Sequence, residues 1–158
     1  MPELPEIETV RMQLSQVLPG RKLIRVEVRS EKIAKSSMEI LVGKKITGVR
    51  RRAKVLLVIF EGDLVLALHF KMTGQLIYEV NEKPQETNLK KQTSLNTQKT
   101  NYKNRIVGGH PTEDFENPMP GKHTRIIFYL NGGKLFFNDQ RKFGWVLTGT
   151  NEKTTFRR

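Results

Sequence analysis

Apolar positions along the chain first recur at helical spacing and then change to strict alternation. Between residues 5 and 18 the apolar side chains stand three or four positions apart, at Ile7, Val10, Leu14, Val17 and Leu18. Pro5 suits the first turn of a helix, and Pro19-Gly20 is typical of a helix end. We therefore expect an amphipathic helix over residues 5–18 that packs by one face.

After this helix the pattern has a period of two. Ile24, Val26 and Val28 alternate with charged residues, which predicts a half-buried strand. Similar stretches predict strands at 46–51, 55–60, 64–70, 75–80, 125–130, 134–138 and 145–147, with a short helix at 36–42. The turn at 131–133, Asn-Gly-Gly, favours a hairpin. The pattern predicts a mainly β fold with flanking helices, as a two-layer antiparallel β-sandwich with an N-terminal helix.

Residues 81–121 differ in composition, because Asn, Lys, Gln, Thr and Glu dominate and apolar residues are sparse. We expect a mobile insertion loop. A passive insertion is favoured over a DNA contact or a partner-binding motif.

The net charge of the chain limits the kinds of binding partner to expect. Lys and Arg number 28 against 16 Asp and Glu, which gives a net charge of +12 over 158 residues. Such a balance favours a polyanion, most often nucleic acid, over a simply soluble basic protein. An anionic membrane is the competing partner, but no basic amphipathic helix and no long apolar stretch stands out. We expect no membrane association.

Cysteine is absent, which excludes disulfides and a thiolate zinc site within this sequence. The first residues lack the basic and apolar regions of a signal peptide. We therefore expect an intracellular, cytoplasmic protein with no cofactor in this chain.

The first eight residues, Met-Pro-Glu-Leu-Pro-Glu-Ile-Glu, carry the most specific chemistry. Removal of Met1 would leave Pro2 with a free secondary amine, a nucleophile that forms a cationic iminium with a sugar aldehyde carbon. Glu3 and Glu6 could move protons for an opening sugar ring. Alternatively, Pro2 only stiffens the terminus and the two carboxylates compensate the helix dipole.

Three later motifs place cations beside turns. The run Arg-Arg-Arg-Ala-Lys at 50–54 feeds an apolar strand, so Lys54 would be held firmly enough to bind a phosphate, although a solvated face is the alternative. At 69–74, His-Phe-Lys-Met-Thr-Gly puts Met72 at a turn tip, where it is either buried or inserted into a partner. His69 by itself is more often structural.

The third motif, Asp-Gln-Arg-Lys-Phe-Gly at 139–144, sets Arg141 and Lys142 beside Phe143. Arginine reads base edges, and an apolar side chain can wedge between stacked bases. The alternative is an ordinary surface turn with Phe143 in the core.

These four motifs in this order resemble the N-terminal domain of formamidopyrimidine-DNA glycosylases, which are relatives of endonuclease VIII. The resemblance touches most of the chain outside 81–121. It implies a bifunctional DNA glycosylase and AP lyase that flips an oxidised purine, such as 8-oxoguanine or a formamidopyrimidine, out of duplex DNA. The implied partner is double-stranded DNA with an oxidised base or an abasic site, bound by a monomer at the nucleoid.

The resemblance also implies catalytic roles. Pro2 would attack C1′ and displace the base, and Glu3 would handle the proton of the sugar ring oxygen. Glu6 would anchor the N-terminal amine. Lys54 belongs to the same catalytic group and would grip a phosphate beside the lesion.

The implied DNA contacts follow in the same way. His69 matches a residue that grips a phosphate, and Lys71 adds a phosphate-seeking charge. Met72, Arg141 and Phe143 match side chains that fill the vacated stack, with Arg141 addressing the orphaned cytosine. Lys142 completes the DNA-binding set.

Three positions depart from the family pattern. The family usually has Gly where Lys71 stands, Pro where Gln140 stands and Arg where Lys142 stands. Because Gln140 stands in place of proline, the backbone φ next to Arg141 is no longer fixed by a ring. This affects the geometry with which Arg141 and Phe143 would enter the base stack.

Full-length relatives continue into a helix–two-turns–helix module and usually a four-cysteine zinc finger, which this sequence does not contain. We expect residues 1–150 to form the catalytic domain and 151–158 to begin an interdomain linker. A domain of a longer enzyme is favoured over a gene product that stops early. The alternative functions are a non-catalytic nucleic-acid-binding module that kept the fold and an unrelated RNA-binding β protein, which would need an aromatic stacking platform.

Overall fold

A computed structural model of the chain describes residues 4–80, 105–109, 112 and 115–150. Within these residues one α-helix, α1 (Leu4–Val17), precedes the strands, as the spacing of apolar residues predicted. Ile7, Val10 and Leu14 are buried on one face of α1. The helix gives way to a turn at Gly20, whose φ of +93° lies in the left-handed region that glycine favours.

The strands of the described residues form two antiparallel sheets. A five-stranded sheet contains β1 (Leu23–Val28), β5 (Gly74–Val80), β6 (Arg105–Gly109), β7 (Thr124–Leu130) and β8 (Gly133–Asp139), in the order β1-β7-β8-β5-β6. A four-stranded sheet contains β2 (Ile46–Arg52), β3 (Val55–Phe60), β4 (Leu64–His69) and β9 (Trp145–Thr150), in the order β2-β3-β4-β9. The predicted two-layer sandwich with an N-terminal helix is confirmed.

The main core lies between the two sheets. Alternating residues of one sheet, such as Tyr78, Phe128 and Phe137, share it with Leu56 and Leu68 of the other. Helix α1 packs against β6 and β2, which are edge strands of the two different sheets. The helix therefore covers the side of the sandwich where both sheets end, and it contacts both sheets.

The prediction of one mobile loop over 81–121 is wrong for residues 105–109. These residues form β6, which pairs with β5 and is the edge strand of the five-stranded sheet. Gly108 passes so close to α1 that a Cβ atom would lie 1.7 Å from Cγ2 of Val10. Phe115 and Met119 also pack, against the outer face of the five-stranded sheet. These short apolar stretches pack against α1 and against strands of the five-stranded sheet, most of which are distant from them in sequence. Residues 81–104 lie outside the described residues.

Smaller differences concern element ends. The short helix predicted at 36–42 is limited to a 3-10 turn at Glu39–Leu41, and a second 3-10 turn, Glu61–Asp63, joins β3 to β4. The last strand runs to Thr150 rather than to residue 147 because β9 pairs with β4 along its whole length. The expected linker at 151–158 lies outside the described residues.

Candidate functional site

Three turns of the chain meet at one end of the two sheets. In the four-stranded sheet His69, the last residue of β4, pairs with Val55 at the start of β3 and with Trp145 at the start of β9. In the five-stranded sheet Gly74, which begins β5, pairs with Asp139, which ends β8. The β2–β3 turn, the β4–β5 loop and the β8–β9 loop therefore share one end, and the two loops both cross between the sheets.

The structure places most of the candidate residues at this end. Lys54 lies in the β2–β3 turn, His69 ends β4, and the two crossing loops carry the others: Lys71, Met72, Arg141, Lys142 and Phe143. Glu6 is exposed in the first turn of α1, where it also fits compensation of the helix dipole. Pro2 and Glu3 lie outside the described residues.

The β4–β5 loop, residues 70–73, holds Met72 out into solvent. Phe70 is buried in the core, and the N–H of Gly74 donates to its carbonyl oxygen at 2.8 Å, which closes the turn. A Cβ at Gly74 would lie 2.5 Å from that oxygen, so no side chain fits there. Lys71 has a φ of +52°, and Met72 is 42% exposed. The loop keeps the left-handed backbone that glycine would favour, although lysine occupies the position.

The β8–β9 loop, residues 140–144, exposes an aromatic ring flanked by cations. Phe143 is 51% exposed, so the alternative that placed it in the core is wrong. The guanidinium carbon of Arg141 lies 5.8 Å from the ring centroid, and Nζ of Lys32 lies 5.9 Å from it. Both distances are within the range of cation–π attraction. Lys142 adopts a φ of +61° between Arg141 and Phe143.

Buried groups hold the backbone of this loop. The carboxylate of Asp139 accepts the N–H of Gly144 at 2.7 Å and the hydroxyl of Thr73, and that hydroxyl oxygen accepts the N–H of Arg141 at 3.1 Å. Nε of Arg125 donates to the carbonyl of Asp139 at 2.8 Å. Gln140, which replaces the proline of the family pattern, thus lies in a segment fixed by its neighbours.

His69 contacts both the β4–β5 loop and the start of β9. Its Nδ1 accepts the backbone N–H of Lys71 at 3.1 Å, and its ring packs against Trp145. Burial lowers the pKa of His69, and the positive charges of Lys71 and Lys54 lower it further. The imidazole is therefore held neutral, with Nδ1 as an acceptor. A neutral ring can still donate from Nε2 to a phosphate oxygen.

Helix α1 is tied to the turn that carries Lys54. Glu8 accepts hydrogen bonds from Arg11 at 2.7 Å and from Nε of Arg51 at 2.8 Å. Nη1 of Arg51 also donates to the carbonyl of Ala53 at 2.9 Å, next to Lys54. The hydrogen bonds from Arg11 and then Arg51 lower the pKa of Glu8 to about 2. The first turns of α1 and the β2–β3 turn therefore lie side by side.

Sequence reasoning missed the residues that organise this end. Thr73 and Asp139 were quoted within motifs but given no role, and the Glu8–Arg51 pair was not foreseen. Polar residues at the ends of predicted strands were the available sequence signal. The pairing of β5 with β8, which brings Thr73 and Asp139 together, is not visible in a local pattern. Lys32, from the turn before Ile33, was also missed.

Among the described residues, no group of three or more His, Cys, Asp or Glu side chains is placed to hold a metal ion. In the same parts of the chain, no helix is long and apolar enough to cross a membrane.

Comparison with protein families and curated sequences gives consistent matches. A family model described as the formamidopyrimidine-DNA glycosylase N-terminal domain matches residues 1–146. A formamidopyrimidine-DNA glycosylase of Pelotomaculum thermopropionicum is 35% identical over 152 residues, covering 92% of this chain and 42% of the relative. That of Pediococcus pentosaceus is 36% identical over 149 residues, covering 91% and 42%. The chain spans less than half the length of the curated relatives it matches.

Solved structures match over nearly the whole chain. Wild-type Lactococcus lactis Fpg in complex with DNA that contains N7-benzyl-Fapy-dG superposes with a TM-score of 0.67 at 26% identity, covering 96% of this chain and 45% of that one. The same bacterium's Fpg with abasic-site DNA gives a TM-score of 0.67 at 25% identity, again with 96% and 45% coverage.

Proposed function

The chain belongs to the formamidopyrimidine-DNA glycosylase family through that family's N-terminal domain, and on this basis we propose that it carries the chemical half of a base-excision repair enzyme. The proposed substrate is duplex DNA with an oxidised purine, either 8-oxoguanine or a formamidopyrimidine. The proposed reactions are excision of that base followed by cleavage of the abasic strand.

The observation that carries the proposal is the pair of apolar side chains exposed from adjoining loops. Met72 and Phe143 project from the two segments that cross between the sheets, and Arg141 lies over the ring of Phe143. Apolar side chains presented this way can enter a base stack, and arginine can bond the edge of an unpaired base. This combination fits a duplex opened at one nucleotide better than it fits an intact duplex or a membrane.

Cations around the loops supply the contact with the DNA backbone. Lys54, Lys71 and Lys142 lie on the three turns of this end, and the neutral His69 ring stands among them. Backbone contacts of this kind position a protein on DNA without reading sequence. The excess positive charge of the whole chain acts in the same direction.

The chemistry requires Met1 to be removed so that Pro2 has a free amine. The Pro2 nitrogen attacks C1′ and loses its own proton, the bond from C1′ to the base breaks, and the base leaves with the electron pair and takes up a proton. Glu3 delivers a proton to the ring oxygen as the sugar opens, which leaves an iminium between Pro2 and C1′. The iminium acidifies the hydrogens on C2′, and loss of one of them expels the 3′ phosphate.

The proposed steps use only the amine and carboxylates of this chain, so they call for no cofactor in this domain. Glu6, in the first turn of α1, is the carboxylate that we propose anchors the N-terminal amine. The Lactococcus lactis structures contain DNA with Fapy-dG and with an abasic site, which supports the same lesions as ligands here. We propose that the domain acts on these lesions as a monomer, in the cytoplasm at the nucleoid.

The test is borohydride trapping on two duplexes, one with 8-oxoguanine opposite cytosine and one with an abasic site. The mature chain should give a covalent adduct with both, and peptide mass mapping should place it on the N-terminal residue. The matched control is the same chain with a short N-terminal extension, which converts the Pro2 nitrogen into an amide and should abolish the adduct. Undiminished trapping by the extended chain would contradict the proposed nucleophile.

The second candidate function is a binding module that kept the fold without the chemistry. It is favoured if the mature chain, with Met1 removal confirmed by mass, retains both duplexes in a gel-shift experiment and yields no adduct with either. An adduct with the abasic duplex alone would support the lyase step and contradict base excision by this domain.

A further inference from the structure

We infer that Thr73 and Asp139 form a buried clamp that fixes the Met72 loop and the Arg141–Phe143 loop in one relation, so that both loops enter a base stack as a single wedge. The inference rests on the proposed function, because it concerns how DNA would be opened. Neither residue is expected to touch DNA. They are positioning residues that act through Met72, Arg141 and Phe143.

The clamp begins with Asp139, which is completely buried at the end of β8. Its carboxylate accepts two hydrogen bonds, one from the hydroxyl of Thr73 and one from the backbone N–H of Gly144 at 2.7 Å. Burying a carboxylate is costly unless hydrogen bonds satisfy it. Both of its bonds go to the loops that carry the exposed apolar side chains.

Thr73 extends the clamp to the other side. Its hydroxyl oxygen accepts the backbone N–H of Arg141 at 3.1 Å while its hydrogen goes to Asp139. Thr73 directly follows Met72, and Arg141 and Gly144 bracket the segment that contains Phe143. A single chain of hydrogen bonds therefore pins both ends of one loop and connects them to the other.

The space around the clamp leaves little freedom for another arrangement. A Cβ atom on Gly144 would lie 2.6 Å from the carbonyl oxygen of His69 and 3.0 Å from Oδ2 of Asp139. Gly144 is thus packed between the end of β4 and the Asp139 carboxylate. The clamp consequently fixes the loops relative to His69 as well as to each other.

Rigid presentation matters for a wedge. Parting a base step costs stacking energy, which contacts of the inserted side chains must offset. Ordering a loose loop at the same moment would add to that cost. Met72 and Phe143, already exposed and held at fixed positions, avoid it. Hydrogen bonds buried beneath the tips leave those tips open to the DNA.

The test compares Thr73→Val with Thr73→Ser. Valine has the shape of threonine but lacks the hydroxyl, so it leaves the Arg141 N–H and one Asp139 oxygen without their partners, whereas serine keeps the hydroxyl. We expect the valine variant to slow trapping on the 8-oxoguanine duplex about tenfold to a hundredfold. The serine variant should recover to within about threefold of the unchanged chain, the range left by losing one methyl group.

A single-stranded abasic oligonucleotide is the internal control. It has no stack to open, so all three proteins should trap it at the same rate if the clamp only positions the wedge. Equal slowing of the valine variant on duplex and single strand would overturn the inference in favour of a general structural role. Equal duplex rates for all three proteins would also overturn it.

A fluorescence measurement separates failure of the clamp from failure of the proposed chemistry. A duplex with a tetrahydrofuran abasic analogue and 2-aminopurine in the opposite strand reports unstacking without any covalent step. A fluorescence rise with the unchanged chain that the valine variant loses and the serine variant restores supports the clamp even if no adduct ever forms. Absence of any rise with the unchanged chain would overturn the clamp, because there would be no wedge to hold.

Discussion

His69 packs its imidazole ring against the indole ring of Trp145, with the ring centroids 5.4 Å apart and the planes inclined by 44°. The two residues are register partners, one at the end of β4 and one at the start of β9. This packing buries the imidazole beside Lys71 and Lys54, and burial followed by those two charges lowers its pKa. A protonated ring would also lose the acceptor that holds the Lys71 N–H.

His69 should therefore make folding sensitive to mild acid. Its pKa in the folded state lies below that of the unfolded chain, about 6.5, so the unfolded state binds more protons in the window beneath pH 6.5. The stability contributed by the neutral ring is complete above that pH and is lost as pH falls through the folded pKa. Urea midpoints of the unchanged chain should fall between pH 7 and pH 5 more than those of His69→Phe. The other histidines are the same in both proteins, so parallel curves would contradict the prediction.

Glu8 should have the corresponding effect at lower pH. Hydrogen bonds from Arg11 and Arg51 depress its pKa to about 2, below the unfolded value near 4.5. The stabilising contribution is complete above about pH 4.5 and is lost as pH falls through about 2. The thermal midpoint of Glu8→Gln should lie below that of the unchanged chain at pH 6 and converge with it near pH 2. Arg51→Met, which removes one donor, should shrink the difference; a gap that stays constant with pH would count against this account.

Lys71 occupies a backbone conformation that suits glycine. Its φ of +52° costs a residue with a Cβ about 1 kcal/mol, part of which glycine loses again through the entropy of the unfolded chain. Lys71→Gly should thus raise the free energy of unfolding by about 0.5 kcal/mol. Lys134→Gly, within β8 and opposite Tyr129 of β7, should instead lower it by about 0.5–1 kcal/mol. Denaturant unfolding of both variants checks the contrast, and a loss of stability in both would show that Lys71 is not strained.

Phe143 should matter for base excision and hardly at all for folding. Its ring is 51% exposed, so Phe143→Ala should change the free energy of unfolding by no more than about 0.5 kcal/mol. Loss of a stacking side chain is worth about 1–3 kcal/mol per base, so single-turnover excision of 8-oxoguanine should slow about tenfold to a hundredfold. The control Ile24→Ala removes a side chain that is 52% exposed on the edge strand β1 and should leave excision unchanged. Equal rates for the two variants would argue against insertion of Phe143.

The elements that could be predicted from the sequence are those encoded by local patterns. The spacing of Ile7, Val10 and Leu14 predicted α1 to within a residue at each end, and the Asn-Gly-Gly turn marked the β7–β8 hairpin. The candidate side chains of the crossing loops were also found locally, because each motif is contiguous. Strand β6 was missed because pairing with β5 and contact with Val10 hold it in place, and neither contact is visible in a local sequence pattern.

The supporting contacts could not be predicted for the same physical reason. The hydroxyl of Thr73 meets the carboxylate of Asp139 only because β5 pairs with β8 in a register that sets Gly74 opposite Asp139. Likewise the Glu8–Arg51 ion pair depends on how α1 lies across β2. Such contacts are set by tertiary packing, which a window of neighbouring residues does not contain.

The pairing of β5 with β6 gives protein engineers a place to attach cargo. Glu79 and Arg105 are register partners, joined by an ion pair of 2.6 Å, so the chain leaves the sheet and re-enters it one strand away. Lengthening a connection between such fixed points costs only about 0.6 kcal/mol for each doubling. A fluorescent reporter or an affinity handle placed between them leaves the N-terminal amine untouched. Under the proposed function the Pro2 nitrogen must stay free, so an internal attachment point is the alternative to an N-terminal tag.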